Sequence, residues 1–107
     1  MFRSLKPTVF VLVVVLASGC VATTQVDGHT LAADQWARDH QEIERRAGFE
    51  LHCPADQLKL TILATTPHVQ GSSEDASQVG VNACGHDGVY VRAPLTGQWV
   101  LNSADAR

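Results

Sequence analysis

Cys20 stands directly behind an unbroken apolar run, and its fate decides what the other two cysteines, Cys53 and Cys84, can do. The run is Val9 to Ala17, preceded by Arg3 and Lys6 and followed by Ser18 and Gly19. A positive start, an apolar middle and small residues before a cut point are the three parts of an export signal. The apolar segment partitions into the bilayer, the positive end stays inside, and the small side chains admit a peptidase to the backbone. The run is too short for a transmembrane helix, which needs about 20 apolar residues. Residues 1–19 are therefore expected to be a signal peptide, and the mature chain to begin at Cys20.

The order Leu16-Ala17-Ser18-Gly19-Cys20 resembles the lipobox of bacterial lipoproteins. It departs in placing Leu16 four residues before the cysteine, with Ala17 where a large aliphatic residue is usual. The resemblance implies acyl chains such as palmitate on Cys20; the rival reading is simple secretion. Each buried CH₂ contributes about 0.8 kcal/mol, so two or more chains suffice for stable anchoring. In a cell with two membranes, Val21 stands where an aspartate would resemble an inner-membrane retention signal. The expected place is then the outer membrane, facing the periplasm.

Charge fits an acyl anchor better than a charged one. The whole chain carries a net charge of −3. Without Arg3 and Lys6, six Lys and Arg face eleven Asp and Glu, a balance of −5. Such a domain lacks the basic patch that nucleic acid requires. Anionic lipid surfaces repel it as well.

With Cys20 assigned to lipid, Cys53 and Cys84 form an even pair in an oxidising compartment, which reads as a disulfide. The bridge would close a loop of about 31 residues and stabilise the fold by roughly 3–4 kcal/mol. The sharper alternative is a zinc or copper site made by His52, Cys53, Cys84 and His86. Adjacent residues on a strand point to opposite faces, which keeps His52 and Cys53 from converging on one ion. The spacings also lack the two-to-four-residue spacer of structural zinc sites. No cofactor is expected.

In the mature chain, residues 20–29 read as the lipidated end and a polar tether, and residues 30–107 as one domain. Leu31 to Ala47 is expected to be helical, with Thr30 as N-cap and Gly48 just past the end. Trp36, His40, Ile43 and Ala47 share a face, and the pairs Asp34–Arg38 and Glu42–Arg46 support the exposed side. His40 on that face reads as a partly buried packing residue rather than a ligand.

From Phe49 the period changes to two. Phe49, Leu51 and Cys53 suggest one strand, and Leu58, Leu60 and Ile62 a second, around a Pro54–Gln57 turn. Thr65 to Ser77 reads as a loop. Val79, Val81 and Ala83 mark a third strand, Val89 to Arg92 a fourth and Gln98 to Asn102 a last one, with a bend at Gly85 to Gly88 and a turn at Pro94 to Gly97. The expected class is α+β: one N-terminal helix on a small antiparallel meander of about four strands, with one disulfide.

Two segments resemble a group of small bacterial lipoproteins without assigned function. They are Ala47-Gly48-Phe49-Glu50-Leu51-His52-Cys53-Pro54 and Ala83-Cys84-Gly85-His86-Asp87-Gly88-Val89-Tyr90-Val91. The group pairs a Leu-x-Cys-Pro segment with a Cys-Gly-x-x-x-x-Tyr segment, and the likeness spans about half of the mature chain. It implies the Cys53–Cys84 pairing and an exported setting, and brings no catalytic residues. Several relatives have a further cysteine after the tyrosine, where this chain has Val91-Arg92.

No catalytic set emerges. Asp56, Glu74, Asp75 and Asp87 fall in expected turns and read as solvated carboxylates. A Cys84–His86 nucleophile would need a reduced thiol. The expectation is no enzyme, but an anchored envelope protein with a structural or protein-interaction role, meeting an envelope protein partner. A periplasmic ligand-binding or inhibitor-like module, using Thr65 to Ser77 for recognition, is the alternative, and a Cys/His metal-binding protein a further one. Exposure of Tyr90 and Trp99 would favour the binding module; their burial against Trp36 and Ile43 would favour a scaffold.

Overall fold

A computed structural model of the chain describes residues 22–69 and 71–104. The export segment, Cys20 and Val21 lie outside the described residues. The first element is not a tether. Strands β1 (Thr23–Val26) and β2 (His29–Ala32) form an antiparallel hairpin in the register Thr23↔Ala32 to Val26↔His29. Its two turn residues, Asp27 and Gly28, have φ of 51° and 82°. Primed two-residue turns need positive φ at both positions, and Asp-Gly supplies it. The Asp27 carboxylate also accepts the Ile62 backbone N–H at 2.9 Å, fixing the hairpin tip to the strand that carries Ile62.

Helix α1 (Ala33–Glu50) starts directly after β2 with Ala32 at its N-cap and no side-chain cap. Thr30 is spent in the β2 ladder instead. Asp34 in the first turn complements the helix dipole. The helix runs through Gly48 rather than stopping there. A Cβ at Gly48 would lie 3.2 Å from the Cys53 carbonyl oxygen, so glycine serves the close return of the chain. The backbone closes that return by Leu51 N–H to Ala47 O (2.8 Å) and Cys53 N–H to Gly48 O (3.2 Å). The segment expected as a strand from Phe49 is thus the last helical turn and its exit, and Phe49 is exposed.

After a 3₁₀ turn at Ala55–Gln57 come β3 (Leu58–Pro67), β4 (Glu74–Ala83), β5 (His86–Arg92) and β6 (Trp99–Ala104). These four form the expected antiparallel meander, β3–β4–β5–β6. The sheet is larger and mixed: six strands among the described residues, with β2 joining β4 in parallel at Leu31↔Glu74. Most of the expected loop from Thr65 is hairpin, because β3 continues to Pro67 and β4 begins at Glu74.

One face of the sheet lies under α1. Ile62, Val79, Val81, Ala83, Tyr90 and Trp99 are buried there with Ile43 and Ala47 of the helix. The alternate residues Lys59, Thr61, Gln78, Asn82, Asp87 and Val100 are exposed. Among the described residues a helix covers one side of the sheet and no element covers the second.

Candidate functional site

Three places in the fold collect polar chemistry. The first joins helix to sheet. Asp39 continues the buried stripe Asp39, Ile43, Ala47 down one side of α1 and is only 3% exposed. Its Oδ1 accepts the indole N–H of Trp99 at 3.1 Å and the Gln35 amide at 3.0 Å. Its Oδ2 accepts Arg92 Nη2. Arg92 also donates to the Ala76 carbonyl from Nη2 at 2.9 Å and from Nε at 3.2 Å. The guanidinium lies 4.6 Å over the Trp99 ring, a cation–π contact. A buried ion pair is tolerable only when its remaining hydrogen-bonding capacity is met, and here the neighbours meet it. Asp39 and Arg92 hold each other rather than a reactant.

The second place is the disulfide. Cys53 and Cys84 are joined across a Cα separation of 5.8 Å, as the even thiol count predicts. Cys53 is buried and Cys84 exposed. His52 and Cys84 both have φ of 53°, and Gly85 has 87°. The left-handed turns at both cysteines bring the helix exit and the β4–β5 turn into bonding range. Neither sulfur is a thiolate, so neither can serve as a metal ligand or, for Cys84 beside His86, as a nucleophile. Among the described residues no group of three or more His, Cys, Asp or Glu is placed to hold a metal ion.

Beside that bridge, Tyr90 is fully buried and donates its hydroxyl to Glu50 Oε1 at 2.6 Å. Burial raises its pKa far above the usual tyrosine value, and the hydrogen bond and negative charge of Glu50 add to this; Arg46 opposes it. Trp99 is likewise fully buried. Of the two outcomes posed for these aromatics, burial is the one found, and Trp36 packs on the same cluster.

The third place is the tip of the β3–β4 hairpin. Glu74 and Asp75 are strand residues there, not solvated loop carboxylates. Thr65 donates to Glu74 Oε1 at 2.6 Å, and His29 Nδ1 lies 3.5 Å from the same oxygen. His68 Nδ1 sits 2.8 Å from Asp75 Oδ2. A cavity of about 400 Å³ is lined here by Thr65, Thr66, Pro67, Gly71, Ser72, Ser73 and Glu74. The Ser73 hydroxyl is buried without a hydrogen-bond partner among the described residues. Asp56 and Asp87 are exposed, as the sequence suggests; Asp87 lies in β5 rather than in a turn and accepts the Asn82 amide at 2.8 Å.

Sequence reasoning missed the Asp39 centre. It assigned the helix face to Trp36, His40, Ile43 and Ala47 and left Asp39 off it; His40 is partly buried as expected, edge-on to Trp36 with ring centroids 5.4 Å apart. The signal was present: 39, 43 and 47 are four apart, and a core tryptophan needs an acceptor for its N–H. Of the two surface pairs, Glu42–Arg46 forms at 3.1 Å, while Arg38 donates to Gln35 instead of pairing with Asp34.

No protein-family model, curated protein or solved structure matches this chain.

Proposed function

We propose that this chain is an exported protein, lipid-anchored through Cys20 at the cell envelope, whose folded part is a non-catalytic structural or protein-interaction module. The observation that supports it is the one-sided construction of the sheet. Asp39, Arg92, Trp99, Glu50 and Tyr90 are committed to holding α1 on the inner face. The outer face carries Leu63 and Val100, about half exposed, with Val89 and Val91 between them. A Cβ on Gly80 would lie 3.3 Å from Leu63, so glycine lets that leucine lie flat across the strands. In a two-membrane cell the module would stand on the periplasmic face of the outer membrane.

The test has two parts. Cys20→Ala should abolish acyl labelling and release the protein from membranes; retained labelling would sink the anchor. Photocrosslinking from Leu63 and Val100 in intact cells should capture a protein, and a chain that captures nothing from either position would sink the interaction role.

The hairpin-tip cavity favours a second reading, a small-ligand module with Glu74 and Thr65 as the polar contacts. Thermal shifts against a panel of polar small molecules, lost in Glu74→Ala, would support it.

A further inference from the structure

The fold leaves almost no slack between the anchor residue and the domain. Ala22 is the first described residue, and its carbonyl accepts the Ala33 N–H at 2.9 Å. Thr23 then pairs with Ala32 in the β1–β2 ladder. The chain therefore enters the domain at the first turn of α1, two residues after Cys20. Two residues span about 7 Å at full extension, so the Cys20 backbone stays that close to Ala22.

A second feature lies at the same end of α1. Arg92 and Trp99, which bracket the β5–β6 turn, both bind Asp39. Asp39 is about 9 Å along the helix axis from Ala33. At the far end, Leu51 packs over Gly88, where an added Cβ would lie 3.3 Å from it, and Cys53 bonds Cys84. β5 thus runs antiparallel to α1, and the turn after Arg92 projects beyond Asp39 toward the helix start and Ala22.

That turn is built to present one side chain. Ala93 N–H donates to Gln98 O and Gly97 N–H to Ala93 O, each at 2.8 Å. Leu95 at its tip is 98% exposed, the most exposed large apolar residue described. Ala93 to Gln98 holds no charge, although the described residues carry ten Asp and Glu against five Lys and Arg. On the neighbouring helix turns, the exposed Asp34 and Arg38 are of opposite sign.

We propose that the β5–β6 turn is a lipid-contacting tip, with Leu95 entering the headgroup region of the membrane that holds Cys20. The contact rests on the acyl anchor and adds an orientation to it. A leucine on a firm turn gains by leaving water, and the short link keeps a bilayer within its reach. An acidic domain also meets an anionic surface with least repulsion through an uncharged end. This orientation points Phe49 and the disulfide away from the membrane and leaves the outer face of the sheet accessible from the side.

The test uses the acylated full chain in vesicles of phosphatidylethanolamine with a minority of phosphatidylglycerol, brominated on the acyl chains. Leu95→Trp and Phe49→Trp place the same reporter on exposed sites at opposite ends of α1. Over the Trp36 and Trp99 background, Leu95→Trp should be quenched about twofold, because interfacial side chains sit about 5–10 Å deep. Phe49→Trp should be unaffected. A long Gly-Ser insert after Val21 should lower the Leu95→Trp quenching several-fold while acylation persists, since a longer tether dilutes the tip from the surface. An intact Cys53–Cys84 bond and an unchanged urea midpoint would show that the variants are folded. Quenching of Leu95→Trp no greater than that of Phe49→Trp, on an acylated chain, would overturn the contact and leave the anchor standing. A Leu95→Trp emission that shifts in native membranes but not in vesicles would put protein at the turn and overturn it too. Absence of acyl mass on the Cys20 peptide would overturn the anchor, and the lipid contact with it.

Discussion

Two of the attachments that hold helix α1 to the sheet work by different kinds of force. Midway along, the buried Asp39 is bound to Arg92, itself partly exposed, and to Trp99 by charge and hydrogen bonds. Just past its end, the buried Cys53 is bound by a covalent bond to Cys84, an exposed residue. The ionic contact acts in the folded state and costs dearly when half of it is removed. The bridge acts largely by restricting the unfolded chain. The same helix thus has one attachment that specifies its position and another that limits how far it can stray.

Breaking the ionic point should have the largest effect. Arg92→Ala leaves the Asp39 carboxylate buried without its partner, and urea unfolding should show a loss of about 3–5 kcal/mol. The paired change Asp39→Leu with Arg92→Met should cost much less than Arg92→Ala alone, because no orphan charge remains. A double change that costs as much as the single one would mean that packing, not charge, holds the helix there.

Next in size is the bridge. Replacing Cys53 and Cys84 together by alanine should cost roughly 3–4 kcal/mol. It should also raise the dependence of stability on denaturant, since the freed loop exposes more surface when unfolded. Arg92→Ala should leave that dependence unchanged, so the slope separates the two mechanisms where the midpoint does not.

Tyr90 sharpens the comparison from beside the bridge. Its pKa is raised in the folded state by burial and by Glu50, while the unfolded tyrosine titrates near the usual value of about 10. The unfolded chain then loses this proton first. Its contribution to stability is complete below that usual value and falls as pH rises above it. Because the chain has a single tyrosine, absorbance of the phenolate should appear only as the protein unfolds. Tyr90→Phe should remove this alkaline slope and cost about 1 kcal/mol at neutral pH, the worth of one hydrogen bond. Smallest is Glu42→Gln, which loosens a surface pair with Arg46 and should cost about 0.3–0.5 kcal/mol.

The sequence was most readable where side-chain period and chemistry agree. Val79, Val81 and Ala83 alternate toward the core as a half-buried strand must, and the Cys53–Cys84 bond follows from an even thiol count. It misled where one pattern serves two structures. Phe49, Leu51 and Cys53 alternate, but Phe49 closes a helix and points to solvent. Strands β1 and β2 have few large apolar residues, so their best sign was the Asp27-Gly28 turn rather than any periodicity. The span from Thr65 to Ser77 looked like loop because it is polar. Its polarity is paired across the hairpin, Thr65 with Glu74 and His68 with Asp75, and such pairing depends on register that composition does not carry.

The bond between the Asp27 carboxylate and the Ile62 N–H has a mechanical consequence. Tension applied to the chain ahead of Thr23 first loads the four-residue β1 ladder, and then this side-chain clasp at the hairpin tip. Strand β1 can peel and the clasp can open while the meander stays closed. Farther along, force reaching Cys53 passes to Cys84 through sulfur and bypasses β3 and β4 entirely. The first hairpin would work as a sacrificial link, stretching under load before the body of the sheet is disturbed.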